Sequence, residues 1–374
     1  MVVGPGTLPD FPWDTLRPYA ERARAHPDGI VDLSVGTPVD PTPEPVRRAL
    51  AQAADAPGYP TTAGTVELRA AISDWFRRRR GVDVDPDAVL PTIGSKELVA
   101  WLPTLLGLGP GDVVVHPTIA YPTYDVGARL AGATALPADD VADWAHRGDV
   151  RLVWLNSPSN PTGAVLGVAE LTAVVAAARR IGAVVAGDEC YALLPWEQPW
   201  VDDGVPSVLD PRVCGASHDR VLAVHSLSKQ SNLAGYRAAF LAGDRTLVDR
   251  LLEVRKHAGM MMPAPVQAAA VAALTDDAHV AAQREVYRRR REALRDGLEA
   301  AGLVVESGAA GLYLWARGAG AGQDCWETVA DLADLGILVA PGAFYGAAGR
   351  RHVRVAITAA DDAVARACAR LTGA

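Results

Sequence analysis

Short apolar runs rich in valine and alanine alternate with helical patterns through the middle of this 374-residue chain. Several runs are apolar without interruption, which is typical of strands buried on both faces of a sheet. Alternation of such strands with helices predicts an α/β fold with a mostly parallel sheet flanked by helices. The strand candidates are residues 88–91, 112–116, 134–137, 150–155, 183–186, 221–224 and 238–242.

The pattern changes on either side of this alternating region. The beginning of the chain is rich in proline and glycine and holds one short strand candidate at 30–35. After a long helical stretch, strand candidates at 312–316 and 352–357 flank a helix at 325–335. The predicted divisions are an N-terminal arm with part of a small domain (residues 1–42), a large domain (43–255) and a C-terminal small α+β domain (256–374).

The charge of the chain argues against a nucleic-acid partner. Its formal net charge is −8 at pH 7, whereas a nucleic-acid binder usually carries a basic surplus or stripe. Two arginine runs, Arg77 to Arg80 and Arg288 to Arg291, lie within helical patterns. We interpret both runs as solvated helix faces.

The cysteines and the N-terminal sequence bear on location. The four cysteines lie far apart, with no C-x-x-C and no cysteine–histidine spacing typical of a metal site. The N-terminus lacks the basic start and apolar core of a signal peptide, and no apolar run reaches the length that spans a bilayer. These features predict a reduced, cytoplasmic protein with no membrane partner and no metal.

Polar residues follow four of the predicted strands. They are Gly94 and Ser95, the stretch N-S-P-S-N-P-T-G (156–163), Asp188, and the stretch S-L-S-K (226–229). Each could be ordinary turn or cap chemistry by itself. Because ligands of open parallel sheets bind beyond the carboxyl ends of the strands, four polar strand ends at one edge predict a binding site there. The Gly-Ser turn before a helix could offer backbone N–H groups to a phosphate.

Lysine is scarce in this chain, and one lysine lies in that edge. The three lysines are Lys96, Lys229 and Lys256, and almost every other basic residue is arginine. A guanidinium stays protonated, whereas a lysine amine can lose its proton and bond covalently to a carbonyl group. Lys229 is therefore a candidate nucleophile, with chance retention of a lysine as the alternative.

The order of these motifs resembles the fold-type I, pyridoxal-phosphate (PLP)-dependent aminotransferases of the aspartate aminotransferase type. The resemblance covers nearly the whole chain and makes residues 43–255 the PLP-binding domain. It rests on Gly36, Y-P-T-T-A-G-T-V-E-L-R (59–69), G-S-K (94–96), P-T-I-A-Y-P-T-Y (117–124), N-S-P-S-N-P-T-G (156–163), D-E-C-Y (188–191), S-L-S-K (226–229) with Gly235 and Arg237, and V-R-V-A-I (353–357).

The resemblance implies a role for each residue around the cofactor ring. Lys229 matches the lysine that binds PLP covalently and moves the proton at the substrate Cα. Asp188 matches the carboxylate that keeps the pyridine nitrogen protonated, so that the ring can accept electrons. Tyr191 and Asn160 match the pair that hydrogen-bonds the ring oxygen, and Tyr121 matches the aromatic residue that stacks on the ring.

The resemblance also implies a phosphate site and a substrate site. The matching phosphate ligands are Ser226, Ser228, Arg237 and the G-S-K turn of Gly94, Ser95 and Lys96. Tyr59 matches a residue that reaches the phosphate of a neighbouring subunit, which implies a homodimer with shared active sites. Arg354 matches the arginine that binds the substrate α-carboxylate, helped by the backbone near Gly36 and by Asn160.

One position departs from the family pattern. The family commonly has glycine two residues after the arginine that matches Arg237, and this chain has Ala239. We interpret the alanine as a subfamily trait whose methyl group slightly crowds the backbone.

The chain looks most like actinobacterial N-succinyldiaminopimelate aminotransferases of lysine biosynthesis. That reaction moves an amino group from glutamate to N-succinyl-2-amino-6-oxopimelate. Another amino-acid aminotransferase, a PLP-dependent C–S β-lyase and, remotely, an aminotransferase-like regulator without activity stay open. Candidate partners for a distal substrate carboxylate are Lys96, Arg255, Lys256 and His257, each with a solvated surface charge as the alternative.

Overall fold

The computed structural model describes residues 8–9, 11–306, 308–320 and 322–373. Its largest sheet has seven strands in the order β2-β8-β7-β6-β5-β3-β4. Strand β8 is antiparallel to both of its neighbours, and the other pairs are parallel. The strands are β2 (Val89–Ile93), β3 (Val113–His116), β4 (Thr134–Pro137), β5 (Val150–Asn156), β6 (Val184–Asp188), β7 (Val221–Ser226) and β8 (Ala238–Gly243).

The remaining strands form two smaller sheets. Strand β1 (Val31–Asp32) pairs in parallel with β11 (Ile337–Leu338). An antiparallel sheet has the order β12-β13-β10-β9. Its strands are β9 (Leu303–Glu306), β10 (Tyr313–Gly318), β12 (Ala340–Pro341) and β13 (His352–Ala356).

Fourteen helices connect and cover these sheets in the described chain. They are α1 (Arg17–Arg24), α2 (Glu44–Gln52), α3 (Val66–Trp75), α4 (Ser95–Leu105), α5 (Thr123–Leu130), α6 (Val168–Ile181), α7 (Trp200–Asp203), α8 (Pro211–Cys214), α9 (Leu227–Gln230), α10 (Arg245–Ala258), α11 (Ala264–Thr275), α12 (Ala278–Ala300), α13 (Cys325–Asp334) and α14 (Asp361–Thr372).

The large sheet confirms the predicted α/β fold. Alternate residues of a strand such as β3 lie in the cores on opposite faces of the sheet. Val113 and Val115 of β3 lie in a core with residues of α3, α6 and α11. Val114 between them lies in a second core with residues of α4, α5 and α10. Successive side chains of a strand point to opposite faces, so valine at every position buries both. The seven predicted strand runs all coincide with strands of this sheet.

Register brings the predicted polar strand ends to one edge. Asn156 at the end of β5 pairs with Asp188 at the end of β6, and Asp188 pairs with Val224 of β7. Because β8 is antiparallel, its beginning lies at the same edge, where Ala239 pairs with Ser226. Ala239 also pairs with Thr92 of β2, so the departing alanine lies in regular strand structure.

A third core surrounds the four-stranded sheet. It includes residues of β10, β13, α1, α12, α13 and α14. The predicted helical stretches at 245–255 and about 265–301 form three helices, because the second stretch is interrupted between α11 and α12. The divisions at residues 42 and 255 stay predictions.

The interpretation of both arginine runs as solvated helix faces was wrong for three of their members. The guanidinium of Arg80 is buried and lies 2.8 Å from Oε2 of Glu189. Arg290 pairs with Asp40, and Arg291 donates to the carbonyl oxygen of Gly308 at 2.8 Å. These three arginines are buried because they find partners that are remote in sequence.

No helix of the described chain is long and apolar enough to cross a membrane.

Candidate active site

A cavity of about 780 Å³ opens at the edge where the polar strand ends meet. Most of the predicted site residues line it, drawn from both the large sheet and the four-stranded sheet. They are Gly36, Ser95, Lys96, Tyr121, Asn160, Asp188, Tyr191, Ser226, Ser228, Lys229, Arg237 and Arg354. Residues more than 300 positions apart in sequence therefore share one cavity.

Lys229 lies on the one-turn helix α9, directly after strand β7. Its Nζ donates a hydrogen bond of 2.9 Å to the carbonyl oxygen of Gly36. The side chain is partly buried and lines the cavity. The amine of Lys229 is thus held by a backbone carbonyl oxygen, which a ligand could replace.

Asp188 is a buried carboxylate at the end of β6. Its Oδ2 accepts a hydrogen bond of 2.9 Å from the hydroxyl of Tyr124, and its Oδ1 accepts one of 3.3 Å from the backbone N–H of Cys190. Burial raises the pKa of Asp188 despite these bonds and the charge of Lys229. A buried carboxylate of this kind is stabilised by a cationic partner.

Two serine hydroxyls, an arginine and a glycine turn contribute anion-binding groups to the cavity wall. The hydroxyl of Ser226 donates to that of Ser228 at 3.0 Å. Arg237 has a left-handed backbone with φ of 56°, which a non-glycine residue adopts at a cost of about 1–3 kcal/mol. Gly94 has φ of 80°, and a Cβ there would overlap with the guanidinium of Arg237. The glycine therefore lets Arg237 approach the start of α4 at Ser95.

Arg354 lies on β13 of the four-stranded sheet and is buried in the cavity wall. Its Nη1 donates to Oδ1 of Asn160 at 3.0 Å, and its Nη2 donates to the carbonyl oxygen of Ser34 at 2.6 Å. Its guanidinium carbon lies 4.0 Å from the ring centroid of Tyr313. This cation–π contact and the two hydrogen bonds fix the orientation of the planar fork that a carboxylate could bind.

Three tyrosines complete the wall around Lys229. The hydroxyls of Tyr191 and Tyr313 are 3.3 Å apart. Burial raises the pKa of Tyr191 well above its ordinary value. Burial would also raise the pKa of Tyr313, but the charges of Arg354 and Lys229 outweigh it and lower that pKa. Burial raises the pKa of Tyr121 to about 12, so its ring presents a neutral phenol to the cavity.

Tyr59 lies apart from this cavity. Its side chain is 98% exposed and does not line the cavity within the described chain. Its role toward a neighbouring subunit stays a prediction.

The four basic candidates for a distal carboxylate separate clearly. Lys96 is exposed and lines the cavity. Arg255 is fully buried and pairs with Glu97 at 2.8 Å, so it is neither solvated nor free for a ligand of this cavity. Lys256 pairs with Glu253, and neither Lys256 nor His257 contributes to the described wall.

Several residues at or next to the site carry no role that local sequence motifs predicted. Tyr124 and Tyr313 contact Asp188, Tyr191 and Arg354 through pairings across the fold. Phe11 and Trp13 of the N-terminal arm line the cavity mouth, where Nζ of Lys96 lies 5.6 Å from the ring centroid of Phe11. Tyr313 lies in a predicted strand, and Tyr124 closes the 117–124 motif without an assigned role, whereas no local signal marked Phe11 and Trp13.

The site fits PLP on its own chemistry. An amine, a buried carboxylate in need of a cation and an arginine–serine cluster match the aldehyde, the pyridinium nitrogen and the phosphate of that molecule. Gly94 has no Cβ, and a Cβ there would overlap with the guanidinium of Arg237, so the glycine is required for this placement of the arginine. These are the groups that the sequence resemblance implies.

Comparison with known proteins agrees with this fit. Residues 28–371 match the family model for aminotransferases of class I and II. The chain is 59% identical to the 4-dedimethylamino-4-oxo-anhydrotetracycline transaminase of Streptomyces rimosus, over 98% of this chain and 99% of that protein. It is 58% identical to a probable aminotransferase of Mycobacterium tuberculosis, over 98% of this chain and 86% of that protein.

A solved structure extends the likeness to three dimensions. The probable N-succinyldiaminopimelate aminotransferase of Thermus thermophilus superposes with a TM-score of 0.86 at 29% identity, over 97% of this chain and all of that one. The match of the family model to almost the entire chain, together with these similarities, shows that the protein belongs to the class I and II aminotransferases, which are PLP-dependent transaminases.

Proposed function

We propose that this transaminase moves an amino group from glutamate to N-succinyl-2-amino-6-oxopimelate, as a step of lysine biosynthesis. The observation that carries the proposal is the placement of Lys96. Four cations line the described wall of the cavity, namely Lys96, Lys229, Arg237 and Arg354. The cofactor and a substrate α-carboxylate account for the last three, so Lys96 is left at the mouth for a second, distal carboxylate.

Lys229, Asp188 and Tyr191 perform the chemistry in this proposal. PLP, when bound, supplies an electron sink for the electrons left at the substrate Cα. Lys229 would hold the cofactor and would take and return the proton at the substrate Cα. Asp188 would keep the pyridine nitrogen protonated, Tyr191 and Asn160 would serve the ring oxygen as hydrogen-bond donors, and Tyr121 would supply an aromatic contact to the ring.

The phosphate end is held by groups from three strand ends. They are Ser226, Ser228, Arg237 and the backbone of the turn formed by Gly94, Ser95 and Lys96. Lys96 belongs to this turn, and its side chain is long enough to place the amine either at the phosphate or beside a substrate in the mouth. A variant at Lys96 must therefore be tested for cofactor affinity as well as for activity.

Arg354 binds the α-carboxylate of both the donor and the acceptor. Its guanidinium is preorganised by Tyr313, Asn160 and the carbonyl oxygen of Ser34. The substrate carboxylate takes over part of this hydrogen bonding, with the backbone near Gly36 as a further partner. A fixed fork of this kind selects 2-oxo and 2-amino acids over simple ketones and amines.

A panel of amino donors against succinylated amino-oxopimelate tests the proposal. We expect glutamate to be the best donor, with formation of 2-oxoglutarate. If glutamate leaves the absorbance of bound PLP unchanged while aspartate or an aromatic amino acid alters it, the donor assignment is wrong. Release of pyruvate and ammonia from cystathionine without any added keto acid would instead indicate a C–S β-lyase.

A second candidate is transfer to a bulky polycyclic ketone. It is favoured by the apolar residues Phe11, Pro12 and Trp13 in the cavity lining, and by 59% identity to a transaminase whose name specifies an anhydrotetracycline. In this case Arg354 serves the amino donor alone. Competition between a planar polycyclic ketone and succinylated amino-oxopimelate distinguishes the two acceptors.

The proposed enzyme is a cytoplasmic homodimer with shared active sites. Support comes from Tyr59, whose side chain is 98% exposed in a single chain although it matches a cofactor-contacting residue. In a dimer the same side chain would complete the phosphate end of the partner's site. Sedimentation tests whether the protein is a dimer. Weaker PLP binding by a Tyr59→Ala variant that is still dimeric would support the shared site.

A further inference from the structure

His225 links the two chain segments that carry Lys229 and Asp188. It lies in β7, is buried, and faces Glu189 on one side and Gln230 on the other. Its Nδ1 lies 3.0 Å from the carbonyl oxygen of Glu189, and its Nε2 lies 2.8 Å from the side-chain amide of Gln230. Glu189 directly follows Asp188 in sequence, and Gln230 directly follows Lys229.

The geometry determines where the proton of His225 lies. A carbonyl oxygen can only accept, so Nδ1 carries the proton and donates to Glu189. The ring packs against Trp75 and Phe240, with centroid separations of 4.4 and 5.5 Å. This apolar enclosure lowers the pKa of His225 to about 4, so the ring is neutral and its Nε2 holds a lone pair.

The side chain of Gln230 can satisfy that lone pair. Its Oε1 is the atom at 2.8 Å from Nε2 of His225, while its own amide nitrogen has no partner among the described residues. Half a turn of the amide exchanges oxygen and nitrogen without moving other atoms. The amide nitrogen of Gln230 then donates to His225, and the chain of hydrogen bonds from Gln230 through His225 to Glu189 is complete.

The Glu189 end of this chain is firmly anchored. Its Oε1 accepts hydrogen bonds of 2.8 Å from the hydroxyl of Ser207 and from the backbone N–H of Val208. Its Oε2 accepts one of 2.8 Å from the buried guanidinium of Arg80. Both carboxylate oxygens are therefore satisfied, which fixes the backbone on which Asp188 is placed.

We propose that His225 is a positioning residue that sets the placement of Lys229 against Asp188 by bridging Gln230 to the backbone of Glu189. The bridge ties the one-turn helix α9, which four residues cannot stabilise alone, to the end of β6. This inference rests on the proposed roles of Lys229 and Asp188. It goes beyond them because neither His225 nor Gln230 touches the cavity.

Two variants break the bridge from different ends. His225→Phe keeps a ring between Trp75 and Phe240 but removes both hydrogen bonds, and Gln230→Leu removes only the bond at the α9 end. Ser73→Ala is the matched control, because it deletes another buried hydrogen bond of the same core, from the hydroxyl to the carbonyl oxygen of Val84 at 2.5 Å. Ser73 does not line the cavity.

The readouts are the pH midpoint of the absorbance of bound PLP and the half-reaction with glutamate, compared at equal folded fraction. We expect both bridge variants to shift the midpoint and to lower the first-order rate constant about tenfold or more, with KM for glutamate changed less than twofold. The double variant should be no slower than the slower single variant, since both changes remove one bridge. Ser73→Ala should match the wild type.

The inference is overturned if both bridge variants keep the wild-type midpoint and rate, or if their effects multiply. If His225→Phe does not fold, the midpoint and rate of Gln230→Leu decide: wild-type values overturn the inference, and a shifted midpoint with a lower rate supports it. Neither readout needs the succinylated acceptor, and the pH midpoint also needs no glutamate, so failure of the proposed substrates leaves that midpoint as an intact test. Failure of the lysine assignment would be visible separately, as retention of activity by a Lys229 variant.

Discussion

The hydroxyl of Tyr124 donates a hydrogen bond of 2.9 Å to Oδ2 of Asp188. Tyr124 is fully buried and stacks on Trp154, with ring centroids 5.1 Å apart. Its phenol therefore has a fixed direction, and Asp188 has a neutral donor that favours the ionised carboxylate. This support matters because burial alone favours the protonated acid.

Tyr124→Phe should weaken catalysis while keeping the fold. A hydrogen bond to a charged group contributes about 1.5–3 kcal/mol, so we expect a roughly 10- to 100-fold lower rate of the glutamate half-reaction and faster loss of PLP on dialysis. The stacking on Trp154 survives in the variant. Tyr19→Phe, at a tyrosine that stacks on Trp326 outside the cavity, should be unchanged; equal effects of the two variants would refute the role of Tyr124.

Asp188→Asn should stabilise the PLP-free protein near neutral pH. The folded pKa of Asp188 is raised above its ordinary value of 3.8. The stability that this group contributes is therefore complete below pH 3.8 and is lost as pH rises through the folded pKa. Thermal unfolding should show a higher Tm for the apo variant at pH 7 and a smaller difference near pH 4, together with weaker PLP retention at pH 7. A lower apo Tm at pH 7 would contradict the claim that burial dominates at Asp188.

His225 should make the protein less stable as the pH falls. Its folded pKa is about 4, against an ordinary value of 6.5. Between pH 4 and pH 6.5 the histidine is therefore protonated in the unfolded chain but neutral in the folded protein. The stability is present above pH 6.5 and is lost as pH falls toward 4, by about 3 kcal/mol for the full shift. Denaturant unfolding should give a flatter pH profile for His225→Phe than for the wild type; parallel profiles would mean that the ring titrates normally.

Lys96→Met should separate substrates by their distal charge. We expect KM to rise about tenfold for acceptors with a distal carboxylate, with little change for pyruvate, because only the former lose an ion pair. Lys96→Arg should restore most of the difference, and PLP affinity measured by dialysis should stay within twofold. A uniform loss with all acceptors, accompanied by loss of PLP, would place Lys96 at the phosphate instead.

Local motifs at strand ends account for what the sequence predicted well. Lys229, Asp188 and Asn160 lie at or shortly after the ends of buried strands. Parallel pairing brings the carboxyl ends of neighbouring strands to one edge of the sheet. The burial of Arg80 and Arg290 was not predicted because their partners are remote in sequence. Arg80 pairs with Glu189, and Arg290 pairs with Asp40. No pattern within a single helix reports that a charge on it will be buried.

The same limit applies to Tyr124, Tyr313 and His225. Each acts through a contact with a residue on another element, and its own neighbours in sequence look like ordinary strand or helix residues. Tyr313 lies within a predicted strand, and His225 lies one residue beyond the predicted run 221–224. The contact of Tyr313 with Arg354 and the contact of His225 with Gln230 depend on how distant parts of the chain pack together.

The most direct test of the account is the activity of a Lys229→Arg variant with glutamate and a 2-oxo acid. Arginine keeps the charge and most of the length but cannot bond covalently to an aldehyde or exchange a proton near neutral pH. We expect a folded protein, by circular dichroism and thermal unfolding, that holds PLP at most noncovalently and forms no detectable 2-oxoglutarate. Transamination at the wild-type rate by this variant would contradict the assignment of Lys229 and with it the proposed site.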